Sequence, residues 1–188
     1  IAEHPETAAG YGTAEGEFPY QNASQMLLDL RERMAEDFPP IPEGSTDVTV
    51  KAVSDSLADY CAPAFYLTAP LDDTESNTIY INRQKTPDGL DLYTTLAHEG
   101  YPGHLYQTVY HNRSSLAADQ RPVRELLWYG GYQEGWALYV EFLSFGYAAD
   151  LLQEDGQGMA ALDARLEAHN RSLQLCLYSM IDIMIHYD

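Results

Sequence analysis

From Asp88-Gly89 to the end of the chain apolar residues recur at helical spacing. The feature that most limits how this part folds is a break inside it, Tyr101-Pro102-Gly103, set between His98-Glu99 and His104. Proline removes a backbone donor and clashes with the preceding turn, while glycine takes dihedrals that other residues avoid. The two cost a helix interior roughly 3 and 1 kcal/mol. His98 and His104 are six residues apart. On an unbroken helix six residues turn about 600° and climb about 9 Å, which leaves the two side chains roughly 120° apart and unable to share a partner. The triplet therefore predicts a bulge between the imidazoles that absorbs the excess over the four-residue spacing of a shared helix face. A plainer reading stands beside it: His98 and Glu99 cap or pair within a helix, Pro-Gly marks a turn, and His104 is a surface residue.

Glu134 weighs toward a site. It opens Glu134-Gly135-Trp136-Ala137-Leu138-Tyr139-Val140-Glu141, an apolar helix in which an unpaired carboxylate is expensive to bury. A bound cation neutralises such a charge. A hydrolytic zinc centre needs about three protein ligands, an open position for water, and a carboxylate beside that water to take its proton. His98, His104 and Glu134 supply the ligands and Glu99 the base. Glu141 follows Glu134 on the same face, either as an acceptor for a ligand imidazole or as an exposed charge.

The rest of the chain reads as scaffold. Residues 1–22 mix Gly, Ala, Glu and Pro without an apolar period and predict an extended or poorly ordered lead-in, followed by one domain over 23–188. Met26, Leu27, Leu30 and Met34 predict a helix from Ala23 to Glu36, stopped by Asp37-Phe38-Pro39-Pro40. Short β-rich runs follow at Asp47–Lys51 and Ala64–Leu67, and the clearest strand is Asn77–Asn82. Helices are expected near 90–112, 120–150 and 158–187, and no internal repeat is present. A small sheet followed by helices is an α+β arrangement.

Charge removes two classes of partner. With 10 basic and 29 acidic residues the formal net charge is -19, which repels nucleic acid and anionic membrane surfaces and favours basic substrates. No apolar run approaches the roughly 20 residues needed to span a bilayer. Cys61 and Cys176 have no ligand or disulfide pattern around them and are expected to be buried free thiols. The chain opens on Ile1 and stops at His186-Tyr187-Asp188 directly after an apolar run, so both ends read as cut from something longer and the localisation is left open.

The combined motifs resemble the bacterial family catalogued as domain of unknown function 885, related to the gluzincin metallopeptidases. The resemblance runs from about Asp37 to Asp188 and rests on Phe38-Pro39, the Tyr66 region, Ile81-Asn82, His98-Glu99, Pro102-Gly103-His104, Tyr106-Gln107, Glu134-Gly135-Trp136-Ala137, Asp182 and His186. It implies zinc held by His98, His104 and Glu134, with Glu99 as general base, in the helical catalytic portion of a zincin-like fold. Its match at Asp182 and His186 makes His186 the first choice for stabilising the oxyanion, ahead of Tyr187 and Tyr132. It implies further that the strand Asn77–Asn82 edges a cleft where an extended peptide adds by β-pairing. Members are usually several times longer and mostly helical, so the chain would be a C-terminal-region fragment whose cleft is completed by missing portions of the parent. The expected function is zinc-dependent peptide-bond hydrolysis of a carboxypeptidase or oligopeptidase kind. The alternatives are an incomplete fragment acting as a peptide-binding or structural module, and a metal-dependent amidohydrolase acting on a non-peptide substrate. His4, His111 and His169 have no motif around them and are expected at the surface.

Overall fold

Asn22 starts the first helix. In the computed structural model, which describes residues 17–42, 46–70, 73–86, 88–114, 127 and 129–187, its side-chain oxygen accepts from the Gln25 amide at 2.9 Å, satisfying one of the free donors of a helix start. The helix α1 (Ala23–Arg33) buries Met26, Leu27 and Leu30, then tightens into a 3-10 turn at Met34–Glu36 before Pro39-Pro40. Residues 17–22 carry no helix or strand, and residues 1–16 of the expected lead-in lie outside the described residues, as does His4.

Three strands follow close to where alternation placed them: β1 (Asp47–Ala52), β2 (Ala64–Leu67) and β3 (Ser76–Ile81). The order is β1-β3-β2, with β1 parallel to β3 and β2 antiparallel to it. On β3 the side chains of Asn77, Ile79 and Ile81 turn inward, and Asn82 beyond it is buried, donating to the Ala58 carbonyl at 2.7 Å. The strand expected to edge a cleft is therefore the central one. The most regularly alternating strand has both edges hydrogen-bonded, and β1 and the four-residue β2 take the edges of the sheet.

The helical run expected over 90–112 is two helices, α2 (Leu90–Glu99) and α3 (His104–Arg113). Where a bulge was expected, the chain breaks fully. The turn Gly100–Gly103 holds a cis Tyr101–Pro102 bond, and the chain folds back so tightly that a Cβ on Gly103 would overlap the carbonyl oxygens of His98 and Ala97. A Cβ on Gly100 would lie 2.6 Å from Leu27 Cδ2 and 2.8 Å from the Leu96 oxygen. Both positions thus require glycine for space. Next come α4 (Gly130–Glu154) and α5 (Gly158–His186); residues 120–126 and 128 of the expected third segment lie outside the described residues.

Contacts divide the chain into two units, Tyr20–Ser144 and Ile1–Pro19 with Phe145–Asp188. In the first, α2 packs against both α1 and β2. A buried carboxylate ties the two helices: Asp29 of α1 accepts from the Tyr93 hydroxyl of α2 at 2.5 Å and pairs with Arg33 at 3.1 Å. Burial, reinforced by Asp29, pushes the Tyr93 phenol far above its ordinary range. In the second unit, Phe145, Ala148, Leu151 and Leu152 of α4 and Ala161 and Ala164 of α5 are buried, while the second half of α5 exposes Leu173, Leu177, Met180, Ile183 and Met184. The thiols are free, but contrary to expectation neither is buried: Cys61 is half-buried, and Cys176 is exposed because it sits on that half of α5. Among the described residues no helix is long and apolar enough to cross a membrane. The architecture is α+β, a small sheet followed by helices, as the order of elements predicts.

Removing the Asp29 carboxylate strands the buried Tyr93 hydroxyl, so Asp29→Ala is expected to lower the unfolding free energy in urea by roughly 2–3 kcal/mol, and Tyr93→Phe by about 1 kcal/mol. Gly103→Ala is expected to cost at least roughly 3 kcal/mol by the same titration. A mild effect there would mean that the α2–α3 turn is looser than its backbone contacts indicate.

Candidate metal centre

Three elements converge on one point. Helix α2 ends on His98-Glu99, α3 begins on His104, and the turn between them is tied to α4 by the Trp136 indole, which donates to the Pro102 carbonyl at 2.9 Å. That bond sets α4 so that Glu134, two residues before Trp136, faces both imidazoles. His98 Nε2 lies 3.6 Å and His104 Nε2 3.7 Å from Glu134 Oε2. The His98 and His104 rings stand edge to face with centroids 4.9 Å apart.

Two of the three donor separations suit a tetrahedral cation. Two atoms each about 2.1 Å from one zinc ion and separated by a tetrahedral angle lie roughly 3.4 Å apart, close to the two distances to Glu134. One donor atom from each of His98, His104 and Glu134 falls within 4.8 Å of the others. The second nitrogen of His98 is already engaged, since Nδ1 is 2.9 Å from Glu141 Oε2. An ionised carboxylate only accepts, so the proton sits on Nδ1 and Nε2 keeps its lone pair for an ion. Of the two readings of Glu141, the buried acceptor is the one observed; the side chain is 11% exposed.

Electrostatics follow from crowding imidazoles and carboxylates under partial burial. Burial pulls the His98 pKa down, but the Glu141 hydrogen bond and the charges of Glu99, Glu141 and Glu134 outweigh it and leave it raised. His104 is lowered, first by burial and then by His98, against the pull of Glu134. Glu99 is raised because burial dominates, opposed by His98 and by the Tyr66 amide that donates to its Oε2 at 2.8 Å.

These groups open on a cleft of about 750 Å³ in the first unit, lined by β2 from Ala64 to Tyr66, the α3 face carrying His104, Gln107 and His111, and the rings of Phe38, Tyr106, Tyr110 and Trp136. Tyr106 stacks on both Tyr110 and Trp136, with centroids 5.5 and 6.4 Å away. Among the described residues no Lys or Arg lines the cleft. The strand on its rim is β2, and the amide it turns away from β3 holds Glu99. No sequence signal marked that contact, because a backbone amide has no residue signature. His111, expected at the surface, is half-buried and lines the cleft, since it falls two turns after His104 on the same face. Trp136 was legible only as part of a motif; its role as a tie comes from the need of a half-buried indole for an acceptor.

The structure brings His98, Glu99, His104 and Glu134 together. His186 belongs to the other unit, where it is exposed and its Nδ1 lies 2.9 Å from the Asp182 carbonyl oxygen and 3.2 Å from its carboxylate. Of the other oxyanion candidates, Tyr132 lines the cleft and Tyr187 is exposed at the end of α5. His169 is at the surface, as expected.

No curated protein sequence matches the chain significantly. Among solved structures, the crystal structure of "the putative lipoprotein from Colwellia psychrerythraea" is similar over 89% of this chain and 26% of that one, with a TM-score of 0.60 at 23% identity. The likeness establishes a shared fold, and this chain spans about a quarter of that protein's length. The sequence pattern of the family described as bacterial protein of unknown function DUF885 matches residues 5–187, and the chain belongs to that family.

Proposed function

We propose that this chain carries the zinc site of a metallopeptidase and hydrolyses peptide bonds. The observation that carries the reading is the meeting of three donor atoms from His98, His104 and Glu134 within 4.8 Å in a cleft that also contains the Glu99 carboxylate. Separation in sequence makes the meeting informative: two helix ends and a third helix supply the ligands, and a carboxylate fixes one imidazole from behind.

When bound there, zinc supplies a water acidified toward a pKa of about 7 and polarises the carbonyl under attack. Glu99 takes a proton at its carboxylate and returns it to the leaving amine. Its raised pKa makes it a stronger base than a surface carboxylate, and the Tyr66 amide keeps it pointed into the cleft. The outer edge of β2, apart from the Tyr66 amide that holds Glu99, receives the peptide as an added strand. Tyr132 supplies the cleft with a phenol able to donate to the oxyanion; the assignment of that role to His186 has only the sequence resemblance behind it. The acidic, aromatic lining and the net charge of -19 favour apolar or basic side chains around the scissile bond.

Metal analysis of the purified chain is expected to give about one zinc per molecule, and His98→Ala or His104→Ala to remove it. Zinc content that ignores both substitutions sinks the proposal. Glu99→Gln is expected to keep the zinc while turnover of a mixed peptide library falls roughly 10²- to 10⁴-fold. Undiminished turnover in that variant removes Glu99 as the base.

A further inference from the structure

Gln107 lies one turn after His104 on α3 and lines the cleft, yet its amide nitrogen is buried without an acceptor. Two other polar groups of the cleft are already engaged, Glu99 by the Tyr66 amide and His98 by Glu141. A buried side-chain donor with no partner is the exception in folded proteins and asks for a reason. Helix formation supplies none, because Leu or Met at this position suits a helix equally well. Packing supplies none either, because α3 is already anchored by buried Leu105, Tyr106 and Val109.

Position supplies one. Three residues on from His104 places Gln107 about 4.5 Å further along the helix axis, comparable to the roughly 3.3 Å between successive residues of an extended chain. A peptide whose scissile group sat at the His98–His104–Glu134 point would bring its neighbouring peptide group level with Gln107. The terminal amide of glutamine turns about soft torsions, so a rotation of the side chain alone would turn Nε2 toward the cleft that Gln107 lines.

We propose that Gln107 binds a main-chain carbonyl of the substrate one residue away from the bond that is cut. The assignment rests on the peptidase reading above and sharpens it. A side-chain amide donating to a second carbonyl selects substrates with successive peptide groups over isolated amides or esters.

The test compares the wild-type chain with Gln107→Met and Gln107→Glu, using the N-acetyl pentapeptide that the wild type turns over fastest. In both variants KM is expected to rise roughly five- to ten-fold, with kcat within about two-fold and zinc content unchanged. Gln107→Met is also expected to melt roughly 2–4 °C higher, because an unsatisfied buried group has been removed. Two analogues of that pentapeptide are then assayed, each with one carbonyl flanking the scissile bond replaced by methylene. One of them is expected to give the same KM with wild type and Gln107→Met. A lower melting point with unchanged KM would make Gln107 a packing residue and overturn the assignment. So would a KM difference that survives both replacements. A wild type with neither zinc nor turnover would instead overturn the peptidase reading and this assignment with it.

Discussion

The tight reversal between α2 and α3 is the constraint on which the site depends. Two histidines six residues apart cannot meet on a straight helix. They meet here because the first helix stops at Glu99, the second starts at His104, and the turn between them passes so close to the Ala97 and His98 carbonyls that Gly103 has no room for a side chain. Gly100 is pressed in the same way against Leu27 and Ile79, so the reversal is seated on α1 and the sheet. The Trp136 indole closes the arrangement from the third side by holding the Pro102 carbonyl. The positions of His98, His104 and Glu134 thus follow from contacts made by residues that are not themselves ligands.

The same crowding explains the charges. Two imidazoles and three carboxylates share a partly buried space, and their pKa shifts oppose one another: His98 up, His104 down, Glu99 up. Carboxylates kept together under burial are destabilising unless cations offset them. A divalent ion at the proposed point would offset them. The buried Asp29 knot is a contrast within the same unit. There Arg33 and two tyrosine hydroxyls satisfy the carboxylate, and the knot is complete without any ligand.

Much of this was legible in the residues. The α+β order, the three strands and α1 follow from apolar spacing, with Pro39-Pro40 as the stop signal for α1. The candidate ligand set was singled out by the Pro-Gly interruption and by Glu134 in an apolar helix, but the burial expected of Glu134 is not found: its side chain is 61% exposed. Strand order was not legible, because alternation tells which face of β3 is buried but not which neighbours pair with its edges. The family resemblance assigned the cleft edge to Asn77–Asn82; in the structure the strand lining the cleft is Ala64–Leu67. The Tyr66 amide was invisible for the same reason: its chemistry is backbone chemistry. The exposure of Cys176 and of the apolar half of α5 was also out of reach, since hydrophobic side chains signal a tendency to be buried and not the surface that covers them.

The three candidate ligands differ in how firmly they are held, and the difference bears on how an ion would enter. His98 is fixed by Glu141 and His104 by its place at the first turn of α3; both side chains are about one-fifth exposed. Glu134 is 61% exposed and stands 3.6 to 3.7 Å from both imidazoles. A site with two preset nitrogens and one exposed carboxylate leaves most of the ordering already made by the fold, so the entropy lost on binding falls mainly on a single side chain. Glu134 lines the cleft and is the most exposed of the three, so a cation from solvent would have access to its carboxylate. The acidic surface of the chain would steer it there. His98 and His104 would hold such an ion through nitrogens already placed by the fold, and Glu134 would add an exposed carboxylate.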